Sequence, residues 1–185
     1  MEVANLALWE IMCKESSFFG GSAMNMAHLH LMINHAPVVG IPIAIFILLV
    51  GLYMKERGVM NVGLVLAVLV ALASIPAYLT GEEAEDVVEK LPGVSESLIE
   101  EHEEAAEPAL VVTLVAGGIA LLSIVAGRIR RELLPKAVVI VVVCLLVSGG
   151  LMARAANLGG QIRHPEIMGE GVPLQGEAPH HEEKD

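Results

Sequence analysis

The amino-acid sequence predicts an all-α integral membrane protein: a four-transmembrane-helix up-down bundle with an acidic periplasmic helical loop between the second and third spans. Three observations lead there. First, 55% of the 185 residues are hydrophobic and the mean hydropathy is +0.66. Second, the apolar residues fall into four blocks free of Asp, Glu, Lys, Arg and His, namely Ala36 to Met54, Val59 to Thr80, Pro108 to Gly127 and Ala137 to Ala153. Each block reaches the roughly 17 residues that a helix needs to cross hydrocarbon, and none shows the two-residue alternation of a membrane barrel. Third, the charge is sided. The connections Lys55 to Gly58 and Arg128 to Lys136 hold six of the eleven basic residues and only two of the 22 acidic ones. The positive-inside rule makes that side cytoplasmic, so both termini and the middle loop face outward, into the periplasm if the bilayer is a bacterial inner membrane. The formal net charge of −11 is then an outer field that repels nucleic acid and favours basic partners.

Three regions follow: 1–27, an N-terminal extension or interfacial helix; 28–167, the four-helix membrane domain; and 168–185, a disordered acidic tail. The stretch NLALWEIMCKESSFF reads either as a short interfacial helix with Trp9, Phe18 and Phe19 at headgroup depth, or as an extension before a start at Met24 or Met26. It is a poor secretory signal, since it opens with Glu2 and has a short apolar stretch. In the first span Pro37 suits the opening turn, where a missing amide is no loss, and Pro42 is placed to bend the helix. The four-residue KERG connection makes the first two spans antiparallel neighbours.

The segment Gly81 to Glu107 carries eleven acids and one base. It reads as a short helix EEAEDVVEKL, a Pro92-Gly93 turn, and a second helix begun by Ser95 or Ser97, with Ser97 and Glu100 as a capping box. That second helix runs through His102 into the third span, with Pro108 tolerated. Gly117-Gly118 and Gly149-Gly150 suit close helix approach. Beyond the fourth span, Gly159-Gly160 is expected to turn the chain and return Arg154, Arg163 and His164 to the outer face. The tail GEGVPLQGEAPHHEEKD is too polar to pack. No internal repeat stands out, although the chain divides into two helical hairpins.

Candidate chemistry lies at the outer end. His28, His30, His35, His102 and His164 come from three parts of the chain and map to one membrane face. Imidazole beside lipid is costly unless something binds it. Each histidine alone reads as an interfacial group satisfied by backbone or water. Together they read as a non-covalent haem site with two axial imidazoles, because no Cys-x-x-Cys-His attaches a c-type haem and Cys13 and Cys144 suggest no disulfide. On one continuous helix His28 and His35 stand about 10.5 Å apart and His30 and His35 point about 140° apart. A ligand pair must therefore join the first span to another element. His35 with His102 is the first choice for haem iron and His30 with His164 the second. Arg154 and Arg163 are the basic groups available to haem propionates, or else they balance the acidic loop.

His30 and His35 followed by Pro37, as His-x4-His-x-Pro opening the first span, resemble the start of an uncharacterised family of small bacterial four-helix membrane proteins. The blocks PAYLTGEEAEDVVEKLPGVSESLIEEHEEAAEPA and LMARAANLGGQIRHPEI are similar to that family's most recognisable segments. The resemblance covers about residues 26–167 and implies a four-helix bundle with a proposed cytochrome b-like haem role.

The functional expectation is a membrane-bound electron-transfer component, a b-type haem protein with bis-histidine ligation at the periplasmic end. It would exchange electrons with quinol or another complex subunit and dock a basic periplasmic carrier. No Asp, Glu, Lys, Arg or His lies within the four blocks, so this chain supplies only an outer redox station and no mid-membrane ion path. Quinone could approach near Pro42. One alternative is a metal-binding membrane protein, with histidines plus Glu82, Glu83, Asp86, Glu101 and Glu103 as zinc, copper or iron ligands; those acids also read simply as a solvated face. The other is a non-catalytic structural subunit of a respiratory or photosynthetic complex, or a homo-oligomer. Hydrolytic motifs are missing from the sequence.

Overall fold

The computed structural model describes residues 26–90 and 94–163, and these are helical almost throughout. The helices are α1 (Met26–Ile33), α2 (His35–Met54), α3 (Arg57–Val88), α4 (Glu96–Ile129) and α5 (Leu134–Arg163). Helices α1 and α2 together make one span, and α3, α4 and α5 supply three more, giving four segments long and apolar enough to cross a membrane. Each helix packs on its neighbour in the chain, and α2 closes the ring against α5. Both tight connections, at Lys55-Glu56 and at 130–133, fall at the basic end. The acidic end is where α3 finishes and α4 begins.

Burial follows helical periodicity. In α3 the inward residues are Met60, Gly63, Leu64, Ala67, Val70, Ala71, Ser74, Ala77, Thr80 and Ala84, a stripe at three- and four-residue spacing. Most are small, and α4 answers with Ala105, Ala109, Thr113, Ala116, Gly117 and Ala120. Small residues let backbones approach where dispersion, rather than water exclusion, drives association. Larger side chains fill the centre, where Ile41, Leu48, Leu64, Val138, Val141 and Leu145 are fully buried. The outside is as apolar as the inside. Phe46, Leu122, Val62 and Leu146 are each more than half exposed, and no span buries more than 39% of its most hydrophobic window. A bundle in water would not present such a surface on every side; a bundle in lipid must.

Buried hydroxyls are satisfied within this frame. Ser74 donates to the Val70 carbonyl at 2.9 Å and Ser123 to that of Ile119 at 2.7 Å. Thr113 donates to Ala109 and meets Ser148 of α5, each at 2.6 Å.

Four local expectations are corrected. The helix EEAEDVVEKL is not separate from that of the second span, because α3 runs unbroken through Gly81 to Val88. One helical glycine costs about 1 kcal/mol, and the strong helix formers Glu and Ala that follow offset it. Gly159-Gly160 makes no turn either, since α5 continues through both to Arg163. The start of α4 is capped by Ser95 rather than Ser97, with no side-chain capping bond; the two hydroxyls meet each other at 2.9 Å. Finally, the first span is broken at Asn34. Pro37 has no amide to give the Ile33 carbonyl, four residues back, so the ladder fails there. Pro108 is carried inside α4 as expected. The readings of residues 1–25, the Pro92-Gly93 turn, His164 and the tail lie outside the described residues.

Candidate functional site at the acidic end

Two histidines are held by the bundle in the same way. His30, on α1, sets its Nδ1 3.0 Å from the Ala77 carbonyl of α3, with the Thr80 hydroxyl at 3.3 Å. His102, on α4, sets its Nδ1 2.8 Å from the Ala155 carbonyl of α5. A carbonyl oxygen only accepts, so in each ring Nδ1 carries the proton. In the neutral imidazole the lone pair then belongs to Nε2. Thr80 already gives its own proton to the Pro76 carbonyl at 2.8 Å, which leaves its oxygen free to accept a share of the His30 proton. Each bond of this type is worth about 1 kcal/mol net, and its larger effect is to fix ring orientation.

The local sequence explains both anchors. In a helix the carbonyl of residue n is flanked by residue n+4, whose N–H it accepts. Here n+4 is glycine both times: Gly81 after Ala77 and Gly159 after Ala155. Without a side chain the carbonyl stays open to a second donor. Each ring lies against its glycine, His30 within 3.4 Å and His102 within 3.1 Å of where a Cβ would stand. Thus each hairpin, α1–α3 and α4–α5, carries one histidine on its first arm and an Ala-x-x-x-Gly acceptor on its second. The two rings are close enough for a charge on His102 to act on His30. Both are half-buried.

The other sequence candidates are placed differently. His35 is exposed, and its Nδ1 lies 2.5 Å from the Leu31 carbonyl one turn back, across the Asn34 break. His28 and Arg154 are exposed. Arg154 precedes the Ala155 acceptor directly, which puts its cation one residue from the His102 anchor. Arg163 ends α5. What the sequence reading missed is the repeated acceptor, AYLTG and AANLG. Its signal was there to find: two helical glycines, each four residues after an alanine at the acidic end of the second arm of a hairpin.

Acidic groups crown this end. Glu85 lies beyond the apolar block Val59 to Thr80 and faces Glu103 of α4. A hydrogen bond shared with Glu103, partial burial, and the charges of Glu103, Glu89 and Asp86 push the Glu85 carboxyl up to about 7. Among the described residues no three His, Cys, Asp or Glu side chains are gathered as a metal-binding set.

Fold and site together define a class: a multi-span helical bundle presenting two oriented imidazoles at one end. No family model matches the chain, and the curated proteins and solved structures likewise give no match.

Proposed function

We propose that the protein is a membrane-bound electron-transfer component that holds one b-type haem non-covalently at its outer end, with His30 and His102 as the axial pair. The observation that carries this reading is the matched anchoring of the two rings. An axial histidine needs a free Nε2 and a hydrogen-bonded Nδ1–H, which sets the tautomer and raises ligand basicity. Both rings meet that requirement, and they come from opposite hairpins. The proposal therefore takes His30 in place of His35 as the partner of His102. Two donors are enough for haem iron, because the porphyrin supplies the remaining four, whereas zinc or copper held by protein alone needs further ligands. That favours haem over the metal-binding alternative.

When bound, haem supplies reversible one-electron chemistry. The chain's own residues orient it: the Ala77 and Ala155 carbonyls hold the rings, Arg154 offers a cation for a propionate, and the small-residue stripes exclude water below. With no histidine inside the apolar blocks to hold a second haem at another depth, electrons would enter and leave on one side. Quinol from the lipid and a basic carrier or complex subunit from the periplasm are the partners that the apolar and acidic surfaces suit. The basic connections support the reading that this face points outward from a bacterial inner membrane, with both termini periplasmic.

Protein expressed with ample haem and purified in detergent should carry stoichiometric haem with a low-spin spectrum that sharpens on dithionite reduction. Colourless protein that also fails to take up added haemin would overturn the reading and leave a structural subunit as the better one.

A further inference from the structure

We propose that Gly159 is a positioning residue for the His102 imidazole, that Gly81 is its looser counterpart for His30, and that the two rings are therefore held with unequal tightness. The consequence at iron rests on the haem reading above, whereas the consequence for ring geometry does not need it. Six other glycines in this bundle mark ordinary helix contacts: Gly40 faces Val70, Gly51 faces Met60, Gly63 faces Leu48, Gly117 faces Ala71, Gly127 faces Leu134 and Gly149 faces Ile41. Gly81 and Gly159 instead face imidazole carbons and nitrogens. In both cases the ring is the one hydrogen-bonded to the carbonyl that the glycine leaves open.

The distances separate the two. A Cβ at position 159 would stand 3.1 Å from Cε1 and 3.3 Å from Nδ1 of His102, closer than such contacts normally come, so the ring must move. The moving atom is the one bonded to Ala155. A Cβ at position 81 would stand 3.4 Å from Cε1 and 3.7 Å from Nδ1 of His30, which is ordinary van der Waals contact. His30 also has a second acceptor in Thr80 that His102 lacks, since the equivalent position is Leu158. It rides on the eight-residue α1, set off from α2 at Asn34, whereas His102 is built into the 34-residue α4. The His102 ring is thus the fixed one and the His30 ring the adjustable one.

The test uses the full chain with 15N-labelled histidine, first without haem. In the wild type the His102 ring is expected as the Nδ1–H tautomer with a hydrogen-bonded proton. Gly159→Ala is expected to shift that resonance toward a tautomer mixture, while Gly81→Ala leaves the His30 pattern within the wild-type range. Gly118→Ala, where a Cβ meets nothing within 4 Å, is the control. With haem, Gly159→Ala should weaken binding by roughly 10–100-fold, the usual loss when a group supporting a ligand is disturbed, and should shift the low-spin EPR g values. An Nε2–H tautomer at His102 in the wild type would overturn the proposal even if Gly159→Ala fails to fold. So would an unchanged His102 pattern in Gly159→Ala, or an equal change in all three variants. Protein that shows the ring effects but never binds haem would sink the functional reading and leave the positioning role intact.

Discussion

The Thr113–Ser148 contact lies in the apolar depth of the bundle and ties the two arms of the second hairpin. Both residues are 0% exposed and their hydroxyl oxygens are 2.6 Å apart. Thr113 gives its proton to the Ala109 carbonyl, so Ser148 donates to Thr113. Thr113→Val keeps the shape and removes the acceptor. A buried hydroxyl left without a partner costs about 1–3 kcal/mol. Ser148 has a fallback, however, because a helical serine can turn its proton to the carbonyl four residues back. The loss should therefore fall near 1 kcal/mol, with Ser148→Ala similar. The double variant should recover part of the sum, giving a coupling of about 0.6–1.7 kcal/mol, the range for interhelical hydrogen bonds in membrane bundles. Reversible unfolding in mixed micelles, followed by helicity across SDS mole fraction, supplies the three differences of the cycle. Strictly additive losses would refute the claim that this pair joins α4 to α5, as would a Thr113→Val protein more stable than wild type.

Two further outcomes follow from the packing and from the acidic crown. Gly117→Ala brings a Cβ into direct collision with that of Ala71 on α3, and should lose about 1–3 kcal/mol by overpacking; Ala71→Gly on the same chain should restore much of it in the same unfolding assay. The Glu85 carboxyl, raised to about 7 chiefly by the hydrogen bond with Glu103, binds its proton more tightly in the folded chain than in an unfolded one. Its contribution is thus complete below the ordinary carboxylate range and is lost as pH rises through about 7. Amide protection factors at the acidic ends of α3 and α4, with the intrinsic base-catalysed rise in exchange divided out, should fall between pH 5 and pH 8, and Glu85→Gln should flatten that fall.

The four spans were legible because their signal is long and nearly free of context: charge-free blocks, basic turns and a helix-forming acidic loop. Proline marks were partly legible. Pro108 and Pro42 sit inside helices, but the break that matters comes from Pro37 acting on Ile33 and separates His30 from His35. The glycines were misread. As isolated letters Gly159-Gly160 resemble a turn and Gly81 the edge of a loop, and only the packed hairpins show that Gly81 and Gly159 each keep a helical carbonyl open to a ring from the neighbouring helix. For the same reason the site was only half legible. Histidines at one end can be listed from topology, but the pairing depends on which face of which helix each occupies. The anchoring of His35 on its own Leu31 carbonyl has no signature in the letters.

The central claim is that His30 and His102, rather than His35, are the ligand pair. Its most direct measurement is the haem content and reduced-minus-oxidised spectrum of three purified variants, His30→Ala, His102→Ala and His35→Ala, beside the wild type. The account predicts that the first two lose the low-spin haem signal and that the third retains it. Loss in His35→Ala with retention in His30→Ala would contradict it.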